Sequence, residues 1–204
     1  MANTFAPFGF REYGERDGQA PTMGMETFQL ASSDTNTYFT GDVVSLSSGQ
    51  APGVGFIVQP TSGVAPATPV LGVFVGCEYF NPTTLRNEWH PYFPGSVGSS
   101  AIGKAYVITD PERLWIAQGT SVAVLGTSVV GYGIGFTSSA GTPSGLGAQT
   151  GGNTFTGISN IALVSSTITS ATTAPFRNWP QSRHLRHANR CIPSFLSVSV
   201  CTRI

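Results

Sequence analysis

The chain is poor in charge. Asp, Glu, Lys and Arg make up 10% of its 204 residues, against about 25% in an average soluble domain. Ten basic and ten acidic side chains cancel, so no net field draws the protein towards a polyanion. Cysteine is scarce: Cys77, Cys191 and Cys201 are too few and too odd in number for a disulfide scaffold, although a Cys191–Cys201 bridge stays open. No segment carries apolar residues at helical spacing between proper caps, which excludes a helix bundle or coiled coil. The opening Met1-Ala2-Asn3-Thr4 lacks the basic start and apolar run of a secretory signal. The stretch Leu114 to Phe136 is uncharged for longer than a bilayer requires. It includes Gln118, Thr120, Ser121, Thr127 and Ser128 and is too polar for a membrane span.

The chemical signatures of most enzymes are also missing. There is no G-x-x-x-x-G-K-[ST], and Gly131-Tyr132-Gly133-Ile134-Gly135-Phe136 lacks the third glycine of a dinucleotide fingerprint. No G-x-S-x-G elbow is present. His90, inside Glu88-Trp89-His90-Pro91-Tyr92-Phe93-Pro94, reads as a packed residue rather than a base. Glu12, Glu15 and Asp17 alternate with Arg11 and Arg16, which reads as a self-neutralising exposed segment rather than a hydrolytic carboxylate pair. His184, His187, Cys191 and Cys201 could supply four zinc donors, but Arg183, Arg186, Arg190 and Arg203 flank them and disfavour a cation. No metal, no cofactor and no catalytic residue is expected. The same arginines lack the interleaved aromatics of a nucleic-acid surface.

What is present is unevenly placed. All ten acidic residues lie at or before Glu112, no charged side chain occurs between Arg113 and Arg177, and five arginines follow with no acid between them. A chain that must stay soluble alone rarely leaves so long a stretch uncharged. Coverage by other protein explains it better, and obligate interfaces are depleted of charge.

Short β-branched and aromatic runs recur between Gly, Pro and Ser/Thr clusters, the pattern of an all-β domain. Expected strands are 28–31, 42–46, 55–59, 70–79, 103–108, 114–118, 121–124, 131–136 and 158–164, with 166–170 as a further one. Val70 to Cys77 is apolar on both alternating faces and should lie centrally, covered on both sides. Asp110-Pro111 within Ile108 to Leu114 reads as a hairpin tip. The fold expected is a single β-barrel or jelly-roll-like sandwich over residues 27–176. An extended N-terminal arm (1–26) precedes it and an irregular basic C-terminal tail (177–204) follows. Residues 137–153 have a loop composition.

An ordered series of motifs resembles a known family. Ala6-Pro7-Phe8-Gly9-Phe10-Arg11 is followed by Phe39-Thr40-Gly41-Asp42-Val43-Val44, then by Leu71-Gly72-Val73-Phe74-Val75-Gly76-Cys77-Glu78-Tyr79. Pro91-Tyr92-Phe93-Pro94-Gly95 comes next, then Val107-Ile108-Thr109-Asp110-Pro111 leading into Leu114-Trp115-Ile116-Ala117-Gln118. In this order and spacing the chain resembles capsid decoration, or cement, proteins of tailed bacteriophages over about residues 5–176. The Arg/His segment after Phe176 departs from the resemblance.

The resemblance implies a non-enzymatic virion protein, assembled in the host cytoplasm, on the outer surface of the capsid. Its partners would be the major capsid protein and itself, as a homotrimer or a dimer. Aromatic and arginine residues dominate interface energetics, so Phe5, Phe8 and Phe10, with Arg11 and Tyr13, are the expected capsid anchors. Arg183, Arg186 and Arg190 would dock on an acidic surface. Trp115, Ile116, Tyr132, Ile134 and Phe136, from the uncharged stretch, are the expected self-association residues. The rival reading is a virion-surface or tail-associated carbohydrate or receptor-binding module, with Trp89, Tyr92 and Phe93 as an aromatic sugar platform.

Overall fold

The structure, a computed structural model, describes residues 7–15, 24–31, 33–47, 55–60, 70–97, 102–119, 132–136, 151–169, 176–179, 189–191 and 196–200. Among them there is no helix. The strands begin with β1 (Arg11–Glu15), β2 (Met25–Leu30), β3 (Tyr38–Phe39), β4 (Val43–Leu46), β5 (Ile57–Val58) and β6 (Val70–Asn81). They continue with β7 (Arg86–His90), β8 (Tyr92–Phe93), β9 (Gly103–Ile108), β10 (Arg113–Ala117), β11 (Gly133–Phe136) and β12 (Gly152–Asn153). Last come β13 (Ile158–Ser159), β14 (Leu163–Thr169), β15 (Phe176–Trp179), β16 (Asn189–Cys191) and β17 (Leu196–Val200).

Two sheets dominate. One is six-stranded, in the order β2-β9-β6-β4-β5 with β7 paired to β6, and the other is seven-stranded, in the order β1-β10-β17-β16-β15-β11-β14. Of the two expected forms the sandwich describes them, since no sheet of the described residues closes into a barrel. The protein is all-β.

Strand β6 is the spine, and its sequence explains why. Its first half pairs with β4, its second half with β7, and β9 runs along its other edge. Successive strand residues face opposite ways, so Val43, Val73 and Ile108 meet Trp115, Ile134, Phe136, Leu163 and Phe176 of the second sheet. Their neighbours Val44, Phe74 and Val107 turn the other way and join Leu30, Tyr38, Ile57, Cys77 and Phe93. The central strand β6 is thus buried on both faces from Gly72 to Phe74, as the doubly apolar run predicts. Each fully buried Phe or Val contributes roughly 1.5–3 kcal/mol of transfer free energy.

Three expectations change. The turn at 109–112 forms as expected, with Glu112 N donating to Asp110 Oδ1 at 2.9 Å. However, β9 and β10 lie in different sheets, so it is a corner between layers rather than a hairpin tip. The N-terminal segment is not a detached arm: β1 is an edge strand paired with β10, and Phe10 stacks on Phe176 at 4.9 Å. Nor are the described residues of the tail irregular, because β15, β16 and β17 share the seven-stranded sheet. The alternation Leu196-Ser197-Val198-Ser199-Val200 carries that strand signal, and the arginines upstream mask it. The expected strand 121–124 lies outside the described residues.

Candidate interaction surface

Stretches far apart in sequence meet at Thr40–Asp42. Phe10 N donates to Gly41 O at 3.0 Å, Gly41 N to Phe74 O at 2.8 Å, and Phe74 N to Asp42 O at 2.8 Å. Thr40 N faces the carbonyls of Pro91 (3.1 Å) and Gly157 (2.9 Å), and Ser159 N donates to Thr40 O at 3.0 Å. The Thr40 hydroxyl sits 2.7 Å from both Val75 O and Pro91 O. Gly41 has φ +95°, and a Cβ there would sit 3.0 Å from Phe10 N, so both its backbone and its surroundings demand glycine. Four of the motifs behind the family resemblance therefore touch one another at this junction.

Asp42 is fully buried within it. Its Oδ2 accepts from Phe39 N at 2.9 Å, Ser159 hydrogen-bonds the same carboxyl, and Oδ1 has no partner. Burial pushes its pKa up from 3.8 to about 7, against the lowering effect of those hydrogen bonds.

The junction holds out a hairpin. β12 and β13 pair across the turn 154–157, and Thr40 bridges to Ile158. Asn153 braces the turn: its Oδ1 accepts from Phe155 N (2.9 Å) and Thr156 N (3.2 Å), and its carbonyl from Gly157 N (2.7 Å). Gly157 has φ +70°, and a Cβ there would come within 2.5 Å of the Pro91 ring. The hairpin is therefore packed tightly onto the body, and at its tip Phe155 is 96% exposed.

A second tip follows the same plan. In the β6–β7 turn, Leu85 N donates to Asn81 O at 2.8 Å and Thr83 N to Asn81 Oδ1 at 2.9 Å. Glu88 accepts from Thr84 (2.5 Å) and Asn81 (3.0 Å) and lies 3.1 Å from His90 Nε2. Those hydrogen bonds, Thr84's first, hold its carboxyl down at about 2. Leu85 is 73% exposed at φ +57°, a conformation unusual for a bulky residue.

No family model, curated protein or solved structure matches this chain.

The expected contact residues divide sharply. Phe10 is core, not a surface anchor, since the turn at Gly9 and the hydrogen bond to Gly41 direct it between the sheets. Trp115, Ile134 and Phe136 are likewise buried against Phe176 and Leu163 in the core of a single chain, so they are not self-association residues. Their lack of neighbouring charge reflects the interior. Phe8 stays half-buried with the Arg11 guanidinium 4.9 Å from its ring centroid, and Tyr13 keeps exposed surface. Tyr132 is exposed and Ile116 half-buried. Arg190 lies in β16, paired with Trp179 and Ser199. Phe5, Arg183, Arg186, His184, His187 and Cys201 lie outside the described residues.

The proposed sugar platform also separates. Trp89 pairs with Glu78 and His90 with Cys77 on β6, so Trp89 points away from the face holding Phe93. Phe93 is core and Tyr92 stacks on Phe39 at 5.6 Å. Cys77 is fully buried, and burial pushes its thiol pKa up to about 12. No helix of the described residues is long and apolar enough to cross a membrane.

Sequence reasoning missed Arg113. Its guanidinium is fully buried, paired with Glu12, with Glu15 at 3.4 Å and with Asp110 at 3.6 Å. Glu12 and Glu15 would face opposite ways in a regular strand, but a bulge between Glu12 and Gly14 resets the alternation. Those carboxylates therefore neutralise β10, not the arginines beside them. Phe155 was missed too, although a Phe between Asn153 and Gly157, inside a run of turn residues, is the available signal.

Proposed function

We propose that this chain is a structural protein of a tailed-phage virion. It binds the outer surface of the head and clamps neighbouring capsid subunits, without catalysis. The observation that carries this reading is the convergence of the resemblance motifs on the Thr40–Asp42 junction. Short motifs matching by chance have no reason to be mutual hydrogen-bond partners, whereas motifs that maintain one fold do. The junction's product is a braced turn presenting Phe155, and a second braced turn presents Leu85, apolar contacts of the kind that another protein covers. Several such contacts on one clamp gain strength through avidity.

Quantitative mass spectrometry of virions tests the reading. A clamp is present in copies comparable to the capsid subunit, and purified protein rebinds heads stripped of it. A handful of copies per virion, or no rebinding, overturns it. Removing residues 1–13 is a poor probe of head contact, because it takes Phe10 from the core and Glu12 from the buried Arg113. Phe8→Ser and Arg11→Ser are the appropriate variants.

A carbohydrate-binding role is favoured by one feature. Trp89 is 58% exposed over Gly76, on a face shared with Glu78, Lys104 and Tyr106. An aromatic ring beside hydrogen-bonding groups suits a pyranose. Quenching of Trp89 fluorescence by a surface glycan, lost in Trp89→Ala, would support it. No response across a glycan array would remove it.

A further inference from the structure

We propose that Asp42 is a latch for the β12–β13 hairpin: while its carboxyl holds a proton the hairpin stays shut over it, and ionisation lifts the hairpin from the body. The proton passes to water as the hairpin opens.

The latch has a fixed part and a movable part. Asp42 is fixed: its carbonyl accepts from Phe74 N (2.8 Å), its N–H donates to Phe39 O (2.9 Å), and Val43 and Val44 beside it enter the two cores. Its carboxyl is wholly buried, and Oδ1 has no hydrogen-bond partner. The hydroxyl that reaches this carboxyl belongs to Ser159, at the end of the hairpin. The hairpin is the movable part. β12 and β13 have two residues each, form a separate two-stranded sheet, and supply no member to either core cluster. A two-stranded hairpin has little stability of its own. This one is held down by Gly157 O and Ser159 N on Thr40, by the Pro91 ring beside Gly157, and by Gly152 against the Phe39 ring.

An ionised Asp42 under this cover is a charge without a counter-charge. Among the described residues no cation pairs with it. Residues 7–10, 43–46 and 151–159 carry no titratable side chain. Arg11 and Glu12, just beyond Phe10, are turned to Phe8 and Arg113. Tyr38 on β3 interacts electrostatically with Asp42, but burial and Asp34 raise its pKa and keep it neutral. On the remaining neighbours, Cys77 is a buried thiol, Tyr92 stacks on Phe39, and His90 faces Glu88 at 3.1 Å. Burying an unpaired carboxylate is costly. Water at Oδ1 relieves that cost, and the least anchored cover to displace is the hairpin.

Shut, the carboxyl keeps its proton up to about pH 7; open, it releases it near 3.8. The open fraction should therefore rise about a hundredfold from pH 4.5 to 7 and level off above. The latch is a property of the chain alone, so rebinding to stripped heads measures the proposed function separately.

Hydrogen exchange of the purified full chain, followed by NMR, is the test. Protection of the amide at position 159, corrected for the intrinsic rate at each pH, should fall about a hundredfold from pH 4.5 to 7. Amides along β9 should stay about tenfold or more better protected throughout, because the body remains folded. Asp42→Asn should remove the pH dependence at position 159. Ser159→Ala, which deletes a hydroxyl favouring the ionised form, should move the level-off to higher pH. Three results each overturn the proposal: protection at position 159 that ignores pH in the wild type, that equals β9 at every pH, or that keeps its slope in Asp42→Asn. If Asp42→Asn does not fold, Ser159→Ala decides, and an unmoved level-off overturns the latch.

Discussion

Replacing Asp42 with Asn should abolish a specific part of the protein's pH response. The folded chain keeps a proton on this carboxyl up to about pH 7, whereas an unfolded chain releases it near the ordinary value of 3.8. Between those values the folded state binds more protons, so stability falls as pH rises, and it levels off above about pH 7. From pH 4.5 to 7 the loss is about 3 kcal/mol, at 1.36 kcal/mol for each tenfold change. Asn keeps the acceptor for Phe39 N and has no proton to lose. Neighbouring Tyr38, its own pKa raised by burial and by Asp34, stays neutral throughout. Urea denaturation of both proteins at pH 4.5, 6 and 8 isolates the effect, because exposed carboxylates titrate equally in each. The variant should gain several kcal/mol on the wild type across that range. Stability curves that run parallel, with less than about 0.5 kcal/mol of divergence, would refute the account of a buried, proton-holding Asp42.

Other outcomes follow from the same contacts. Arg113→Met should cost about 3–5 kcal/mol in denaturant, by leaving Glu12 and Glu15 facing a buried space without their cation; a cost below 1 kcal/mol would place the guanidinium in water. Phe10→Ala should cost about 3–5 kcal/mol through the cavity left beside Phe176, a loss that a free arm would not show. Leu85→Gly relieves the φ +57° conformation and should raise stability by about 1 kcal/mol, visible as a higher thermal midpoint. If Leu85 is a head contact, the same variant rebinds stripped heads more weakly.

The sandwich was legible where residues alternate strongly. The doubly apolar run Val70–Cys77 located the spine, and Gly103–Ile108 matched β9 end to end. The strand β7 was not legible, because Arg86-Asn87-Glu88-Trp89-His90 owes its conformation to pairing with β6 rather than to its own apolar content. The ends misled for a related reason. Charge near Glu12 and the C-terminal arginines suggested solvent, yet a single buried cation on β10 and a weak serine–valine alternation draw both segments into a sheet. The uncharged stretch was read as surface covered by neighbours, but Trp115, Ile134 and Phe136 are covered from within. Composition reports that a residue avoids water. It does not report whose atoms cover it.

The junction at Thr40 gathers partners from Phe10 to Ser159. Its hydrogen bonds to Gly157 and Ser159 form only after more than a hundred residues beyond Thr40 have been synthesised, and each closes a long loop. Completion of the junction should therefore be slow. During that interval the half-built sheets expose unpaired edges, and a cell making the protein in bulk would have to keep such intermediates apart.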